Sequence, residues 1–188
     1  VHTIDEIRKI KENTDVEIEA FILGGLCINI EGRCYLSSFV TRASTNTEGV
    51  CSPSRFVRFS NKNDSLAITL NRILLNELKK GESSPYPTCC KGRYIMPDGR
   101  PFYAMEEPES LNALSILPEL LDAGVSALKI EGRQRTRKYV SDMTRVLREA
   151  VDSYYDNPQS YKVKDDWTQK TVSAFEGGSH TLGSYGGK

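Results

Sequence analysis

The alternation of hydrophobic and polar residues divides the chain into helical and extended segments. Isoleucines recur at helical spacing over residues 4–10, with acidic residues in the first turn, and predict an N-terminal helix. Residues 16–23 alternate apolar and acidic side chains and then become wholly apolar, which is typical of a strand that enters a core. Residues 125–132 predict a second core strand, and residues 136–156 predict a long amphipathic helix.

The middle of the chain has weaker patterns. Residues 24–54 are rich in Gly, Ser, Thr and Asn and predict a long irregular segment, which is usually functional or held in place by something. Residues 56–59 predict a short strand, and the Pro-Asp-Gly turn within residues 92–105 predicts a hairpin. Residues 65–81 fit either a strand or a helix that Gly81 ends, so this segment stays ambiguous.

Two further segments complete the pattern. Residues 106–124 predict a helix that Gly124 ends, and Pro118 is expected to kink or divide it. Residues 157–188 contain two glycine pairs near their end and are expected to form a peripheral C-terminal extension.

The order of these elements predicts an α/β fold with parallel strands. If the strands within residues 16–23 and 126–130 are parallel neighbours in a barrel-like sheet, their carboxyl ends share one edge, where such folds usually place their chemistry. Residues 24–27 and 131–133 would then face each other. We therefore expect residues 1–156 to form the C-terminal portion of a barrel-like (β/α) domain, with a cysteine-bearing loop region and a hairpin insertion.

Composition narrows the class of protein. The chain has 188 residues, 38% of them hydrophobic, which is enough for a real core. The 25 basic and 25 acidic residues balance, so no strong overall field attracts nucleic acid or a membrane. No apolar stretch approaches a membrane span, and the N-terminus resembles no signal peptide and lacks a starting methionine. We expect a fragment of a cytoplasmic protein, in a reducing compartment where disulfides are rare.

Five cysteines carry the candidate chemistry, and none of them forms a Cys-x-x-Cys step. They are Cys27, Cys34, Cys51, Cys89 and Cys90. One interpretation makes some of them small buried hydrophobic residues. The other is a metal or cluster site, because Arg33 and Lys91 directly adjoin cysteines and such cations stabilise thiolates. Adjacent residues seldom direct both sulfurs to one small site, so four ligands would leave one cysteine of the final pair spare.

Residues 19–38, EAFILGGLCINIEGRCYLSS, resemble the signature of the collagenase-like peptidases, the U-thirty-two family. The matching positions are Glu19, Phe21, Gly24, Leu26, Cys27, Gly32, Cys34, Leu36 and Ser37. Gly25 departs slightly from the signature, in which Ser or Ala is usual at this position. Within the family, the segments CSPSRFVR, YPTCCKGRY, EEPESLNALSILPELL, SALKIEGRQR and TLGSY are similar to the members that act in bacterial ubiquinone biosynthesis.

This resemblance implies a 4Fe–4S cluster, whose four ligands map onto Cys27, Cys34, Cys51 and Cys90. Cys89 stands where those relatives have an apolar residue. The implied activity is O2-independent ring hydroxylation of a quinone precursor, with prephenate as the oxygen donor. The implied partners are a paired family subunit, in a heterodimer, and a lipid-carrier protein. The resemblance also implies that the N-terminal half of the family domain lies outside this chain.

Two other functions remain open. Related family members hydroxylate RNA bases, and the family name implies a peptidase. A serine or cysteine peptidase needs a base beside its nucleophile, and the chain has only His2 and His180, one near each end. A zinc peptidase of the HExxH type is not indicated, because that motif is missing. The sequence assigns no catalytic residue.

The basic segment at residues 129–139 is the last candidate site. Glu131 and Arg133 follow a predicted strand and are candidate substrate-binding residues, since arginine pairs well with a dicarboxylate such as prephenate. The cations at Arg135, Arg137 and Lys138 would instead contact RNA phosphates if the substrate were RNA. The alternative without a function is the solvated start of a helix.

Overall fold

The chain divides into two compact units. The terminal unit consists of Val1–Gly25 and Glu109–Lys188, and the central unit consists of Leu26–Pro108. The computed structural model describes residues 2–29, 34–133 and 135–186.

The chain contains six α-helices and nine strands within its described residues, and six of the strands follow one another in its middle. The helices are α1 (Ile4–Glu12), α2 (Tyr35–Thr41), α3 (Thr45–Glu48), α4 (Leu117–Asp122), α5 (Arg137–Asp156) and α6 (Asp165–Ala174). The strands are β1 (Glu19–Gly25), β2 (Val57–Lys62), β3 (Ser65–Leu70), β4 (Ile73–Lys79), β5 (Arg93–Ile95), β6 (Pro101–Tyr103), β7 (Glu109–Asn112), β8 (Ala127–Ile130) and β9 (Ser179–Thr181). The predicted N-terminal helix, the two strands and the long helix are confirmed. The second strand, β8, lies at the edge of its sheet and none of its residues is fully buried, so it is not a core strand.

The terminal unit contains a four-stranded sheet in the order β8-β1-β7-β9. β1 and β8 are parallel neighbours, with Glu19 opposite Ala127, as the sequence predicted. β7 runs antiparallel to β1, and β9 runs parallel to β7. Within the described residues the sheet is open and mixed, so the fold is mixed α/β and no closed barrel is present.

Helices complete the core of the terminal unit. α5 buries one stripe of its surface, including Met143, Val146 and Ala150 at helical spacing, and Thr136 caps its first turn by accepting a hydrogen bond from the Tyr139 amide. The fully buried Ile22 and Leu23 of β1 belong to the same unit. β1 is an interior strand of the sheet, since β8 and β7 pair with its two sides. No helix in the described part of the chain has both the length and the apolar character needed to cross a membrane.

The central unit is built from β-hairpins and short helices. β2, β3 and β4 form an antiparallel meander, and β5 and β6 form a separate hairpin. The predicted Pro-Asp-Gly turn closes that hairpin, since the Gly99 amide donates to the Met96 carbonyl at 2.8 Å. α2 and α3 lie within residues 24–54, which the sequence predicted to be irregular. Both helices are too short to show a hydrophobic period.

The structure decides one ambiguous segment and corrects another, in both cases for local reasons. Residues 65–81, which fitted either a strand or a helix, form two strands, because Asn71 and Arg72 take positive φ angles of 45° and 71° and reverse the chain between them. Residues 106–124 are helical only in their second part, where Pro118 lies in the first turn of α4, a position that tolerates proline. The first part is β7, which is held by pairing with β1.

The C-terminal residues 157–188 are more than a peripheral extension, which corrects the expectation from their composition. Trp167 and Thr171 of α6 are fully buried, and Phe175 is nearly so. β9 adds a strand to the sheet of the terminal unit. Glycines and polar residues dominate the sequence here, but one buried tryptophan can outweigh them because it removes a very large apolar surface from water.

Candidate metal centre

The carboxyl ends of β1 and β8 meet closely in the terminal unit. The Glu131 amide donates a 2.8 Å hydrogen bond to the Leu23 carbonyl. Gly24 has a φ of +132°, and a Cβ placed on it would lie 2.5 Å from the Glu131 Cβ. Only glycine fits this crossing. The sequence predicted that residues 131–133 face Gly24, and Glu131 does so.

Gly24→Ala is therefore expected to destabilise the terminal unit by about 3 kcal/mol, through both backbone strain and the overlap with Glu131. Urea unfolding followed by circular dichroism measures the loss. Gly183→Ala is the matched control in the same unit, because Gly183 also has a positive φ but its added Cβ would meet only Leu111, at an ordinary 3.5 Å. Equal losses in the two variants would contradict a special role for the Gly24 crossing.

The candidate substrate-binding residues and the basic residues after them, within residues 129–139, differ in their contacts and their exposure. Glu131 pairs with Arg135 at 3.7 Å between Oε2 and Nε, while Arg133 is exposed. The Arg135 guanidinium also lies over the Tyr139 ring, 4.6 Å from its centroid. Lys138 pairs with Asp142 at 2.5 Å. Arg135 and Lys138, two of the three cations that would contact RNA, thus have partners within the chain.

The five cysteines all belong to the central unit, and all are free thiols. Cys34 precedes α2 and caps it, because its Sγ accepts a hydrogen bond from the Ser37 amide at 3.5 Å. The Asn29 side-chain amide lies 3.7 Å from the same sulfur. The Cys90 sulfur and the Thr88 hydroxyl are hydrogen-bonded at 3.3 Å. Cys27 is exposed, and Cys51 is half-buried.

The Cys51 thiol is affected by three other cysteines. Burial, followed by the charges of Cys90, Cys34 and Cys27, raises the pKa of Cys51 to about 11. Burial also raises the pKa of Cys90, against the lowering effects of Thr88 and Lys91. A thiolate at Cys51 is therefore disfavoured, and a positively charged group beside it would offset that effect.

Cys89 differs from its neighbour in its surroundings. Its side chain is only 7% exposed and packs with Leu70 and Leu75 in the apolar cluster of the central unit. Burial, followed by the charges of Cys90 and Cys34, raises the pKa of Cys89 to about 11. A thiol that packs among leucines serves as a small hydrophobic side chain, which is the role expected for the spare cysteine.

The metal ligands that the chain offers are thiols. Across residues 2–29, 34–133 and 135–186, no three His, Cys, Asp or Glu side chains are close enough together to hold a metal ion. Four free cysteine thiols are the donor set that a 4Fe–4S cluster takes, so the residue types fit that group. The predicted Arg33 neighbour of Cys34 lies outside the described residues.

The two histidines make their contacts within the terminal unit. His2 pairs with Glu6 at 3.6 Å, and the His180 ring lies beside Phe175, with 6.3 Å between ring centroids. Both histidines belong to the terminal unit, whereas all five cysteines belong to the central unit. A cysteine–histidine peptidase pair is therefore not present within either unit.

Comparison with known proteins supplies the family. The model of peptidase family U32 matches residues 2–186. The chain belongs to peptidase family U32. The tRNA hydroxylation protein P1 of Bacillus subtilis is 31% identical to this U32 chain over 165 residues, which are 88% of the chain and 33% of that protein.

Other U32 relatives carry different names. A 23S rRNA 5-hydroxycytidine synthase of Escherichia coli is 29% identical over 150 residues, 80% of the chain and 18% of the relative. A collagenase of Porphyromonas gingivalis is 26% identical over 165 residues, 87% of the chain and 32% of the relative. The chain thus spans a third or less of these relatives. No solved structure matches it.

Sequence reasoning missed the polar groups that contact the sulfurs. Asn29 and Thr88 lie in glycine- and serine-rich segments that resemble ordinary turns. The sequence signal that could have found them is proximity along the chain, because each is a hydrogen-bonding residue within five positions of the cysteine that it contacts. The sequence alone could not distinguish such contacts from turn chemistry, since Asn and Thr favour turns for their own backbone hydrogen bonds.

Proposed function

We propose that this protein is an iron–sulfur subunit of a U32 hydroxylase, with a 4Fe–4S cluster bound by Cys27, Cys34, Cys51 and Cys90. What supports this is that the four cysteines come from three separate chain segments of one compact unit, and that polar groups of this unit already hydrogen-bond to the Cys34 and Cys90 sulfurs. Soft thiolate ligands suit iron–sulfur clusters, and four of them satisfy one cluster. Cys89 remains in the apolar cluster.

The surrounding residues would hold and adjust the cluster. The Ser37 amide and the Asn29 side chain donate to the Cys34 sulfur, and Thr88 bonds to the Cys90 sulfur. Hydrogen bonds to sulfur are one of the means by which proteins set cluster potentials. When bound, the cluster would supply one-electron chemistry, while these residues fix the orientation of its ligands.

The substrate that we propose first is an RNA base. Two of the U32 relatives described above are named for hydroxylation of tRNA or synthesis of hydroxycytidine in rRNA. The central unit also carries a local excess of cations, with eleven Lys and Arg against eight Asp and Glu. RNA phosphates are attracted by such local excess even when the whole chain is neutral.

A quinone precursor is the second candidate substrate. It is favoured by the similarity of the cysteine-bearing segments to UbiU, a ubiquinone-biosynthesis member of the family, and by the zero net charge of the chain. Under this proposal the protein forms a heterodimer with a UbiV-like subunit and binds a UbiT-like lipid carrier. It is cytoplasmic, and residues 1–156 form the C-terminal portion of a barrel-like domain. Glu131 and Arg133 would bind prephenate, the oxygen donor of an O2-independent reaction.

Nucleoside analysis tests the first candidate. Deleting the gene is expected to remove one hydroxylated nucleoside from tRNA or rRNA digests, as measured by mass spectrometry. The gene with Cys51→Ser should fail to restore it, and Cys89→Ala, the matched cysteine control, should restore it. Unchanged RNA together with an accumulated quinone precursor would reject the RNA substrate and support the second candidate. Peptide cleavage that survives the loss of all four ligand cysteines would reject both.

A further inference from the structure

A cavity of about 200 Å³ lies between α2, β4 and β5 of the central unit. Its walls are mostly apolar, with polar groups contributed by Tyr94 and Arg93. Its apolar lining consists of Leu36, Val40, Ile73, Leu74, Leu75 and Cys89. Because Tyr94 and Leu74 are also partly exposed to solvent, the cavity opens to the surface.

The size of this cavity selects its occupant. An apolar cavity of about 150 Å³ is known to hold one benzene molecule, so a cavity slightly larger admits one six-membered ring. Leucine and valine side chains suit the faces of a ring and its carbon-bearing edge. The Tyr94 hydroxyl donates to the Cys89 carbonyl at 3.5 Å, and its oxygen can still accept a hydrogen bond from a ring N–H. Arg93 donates to the Glu77 carbonyl and pairs with Glu82 at 3.1 Å, which fixes its guanidinium at the cavity.

The cavity adjoins the candidate cluster ligands. Cys89, which lines it, directly precedes Cys90. Leu36, which also lines it and packs against the apolar cluster that contains Cys89, lies in the first turn of α2, where the next residue, Ser37, donates its amide hydrogen to the Cys34 sulfur. Both lining residues thus adjoin the segments that carry the ligand sulfurs, and a ring in this cavity would lie beside the proposed cluster.

Two cations flank the cavity. Arg42 follows the wall residue Val40 by two positions, and its guanidinium lies 5.0 Å from the Phe39 ring centroid. Arg72 directly precedes the wall residue Ile73, and the adjacent Asn71 side chain donates to the Val40 carbonyl, which joins this turn to α2. Within the part of the chain that the structure describes, neither arginine forms an ion pair.

An exposed aromatic ring completes this surface. Phe39 is 68% exposed, although burying a phenylalanine is strongly favourable. Exposed aromatic rings beside arginines are the combination with which proteins bind single-stranded nucleic acid, because bases stack on the rings while arginine contacts phosphate.

We propose that this cavity binds one pyrimidine base of a single-stranded RNA, while Phe39 stacks with a neighbouring base and Arg42 and Arg72 contact the flanking phosphates. The inference rests on the proposed RNA function and specifies where the base binds. It also replaces residues 129–139 as the expected RNA contact, since Arg135 and Lys138 have partners within the chain.

Fluorescence anisotropy with two oligonucleotides of equal charge tests the base site in the unaltered protein. One is a short fluorescein-labelled oligouridylate, and the other has one central abasic nucleotide. The intact oligonucleotide is expected to bind about tenfold more tightly, the value of one stacked base. Leu74→Trp, at a half-exposed wall position, should fill the cavity and bring this ratio close to one. Equal binding of both oligonucleotides by the unaltered protein would overturn the proposal.

Salt titration tests the phosphate contacts. Arg42→Gln and Arg72→Gln should each reduce the slope of log K against log salt by about 0.7. Lys62→Gln, which removes a charge at the opposite end of the same meander, should leave the slope unchanged. A slope that responds to Arg137→Gln but to neither Arg42→Gln nor Arg72→Gln would overturn the proposal and assign the contact to residues 129–139.

The same protein separates failure of this inference from failure of the RNA function. Loss of the hydroxylated nucleoside in the deletion strain, combined with oligonucleotide binding that ignores the cavity variants, would reject the cavity and keep RNA as the substrate. Calorimetric binding of phenol that Leu74→Trp abolishes, with no oligonucleotide bound, would also overturn the proposal. That result would assign the cavity to the ring of a quinone precursor.

Discussion

Cys90→Ala is expected to abolish iron binding, whereas Cys89→Ala leaves it intact. The complete gene product, purified without oxygen, should contain about four irons per chain and show the brown absorption of a cluster. The Cys90→Ala variant should lose its iron because Cys90 is one of the four proposed ligands, together with Cys27, Cys34 and Cys51. The Cys89 sulfur instead packs against Leu70 and Leu75.

The two adjacent cysteines form a matched pair because the substitution is identical and the chain position differs by one. Stability provides a second measurement, in which Cys89→Ala rather than Cys90→Ala is expected to have the larger effect. Cys89→Ala leaves a small cavity among leucines and should cost about 1 kcal/mol in the iron-free protein, while Cys90→Ala, half-buried, should cost less. A colourless, iron-free wild type would contradict the cluster. Iron lost in both variants would contradict the ligand assignment.

The parallel core of the terminal unit was predictable because its signals are local and strong. Residues 16–23 end in an apolar run that fits a buried strand, and Leu128 and Ile130 of the second segment alternate with polar residues and pack against the same core. β7 was missed because its sequence, ESLN, has no strand pattern. Its pairing with β1 decides its structure, and pairing between distant segments leaves little trace in a single sequence.

The candidate site was predictable to a different degree. Family resemblance selected Cys27, Cys34, Cys51 and Cys90, but spacing alone did not, since steps of irregular length fit no simple metal motif. The separation of Cys89 from Cys90 depends on which side chain faces the apolar cluster. The cavity beside them depends on α2 and β4 coming together, which only the folded chain reveals.

Trp167→Ala is expected to destabilise the terminal unit by about 4 kcal/mol, although its sequence neighbourhood looks peripheral. Trp167 is fully buried, and its indole N–H donates a 2.9 Å hydrogen bond to Glu149 of α5. Its ring also lies near Tyr161 and beneath the Lys164 ammonium group, at 6.5 and 4.7 Å. Truncation would leave a large cavity between α5 and α6 and remove the donor that Glu149 now uses.

Urea unfolding monitored by circular dichroism measures this loss, since the variant lacks the only tryptophan of the chain. Trp167→Phe keeps most of the apolar volume and should lose about half as much, so it remains measurable if the alanine variant does not fold. Tyr155→Ala removes an aromatic ring that is 67% exposed on α5 and should change stability by less than about 0.5 kcal/mol. If Trp167→Ala were equally mild, residues 157–188 would be peripheral, and the core of the terminal unit would end with α5.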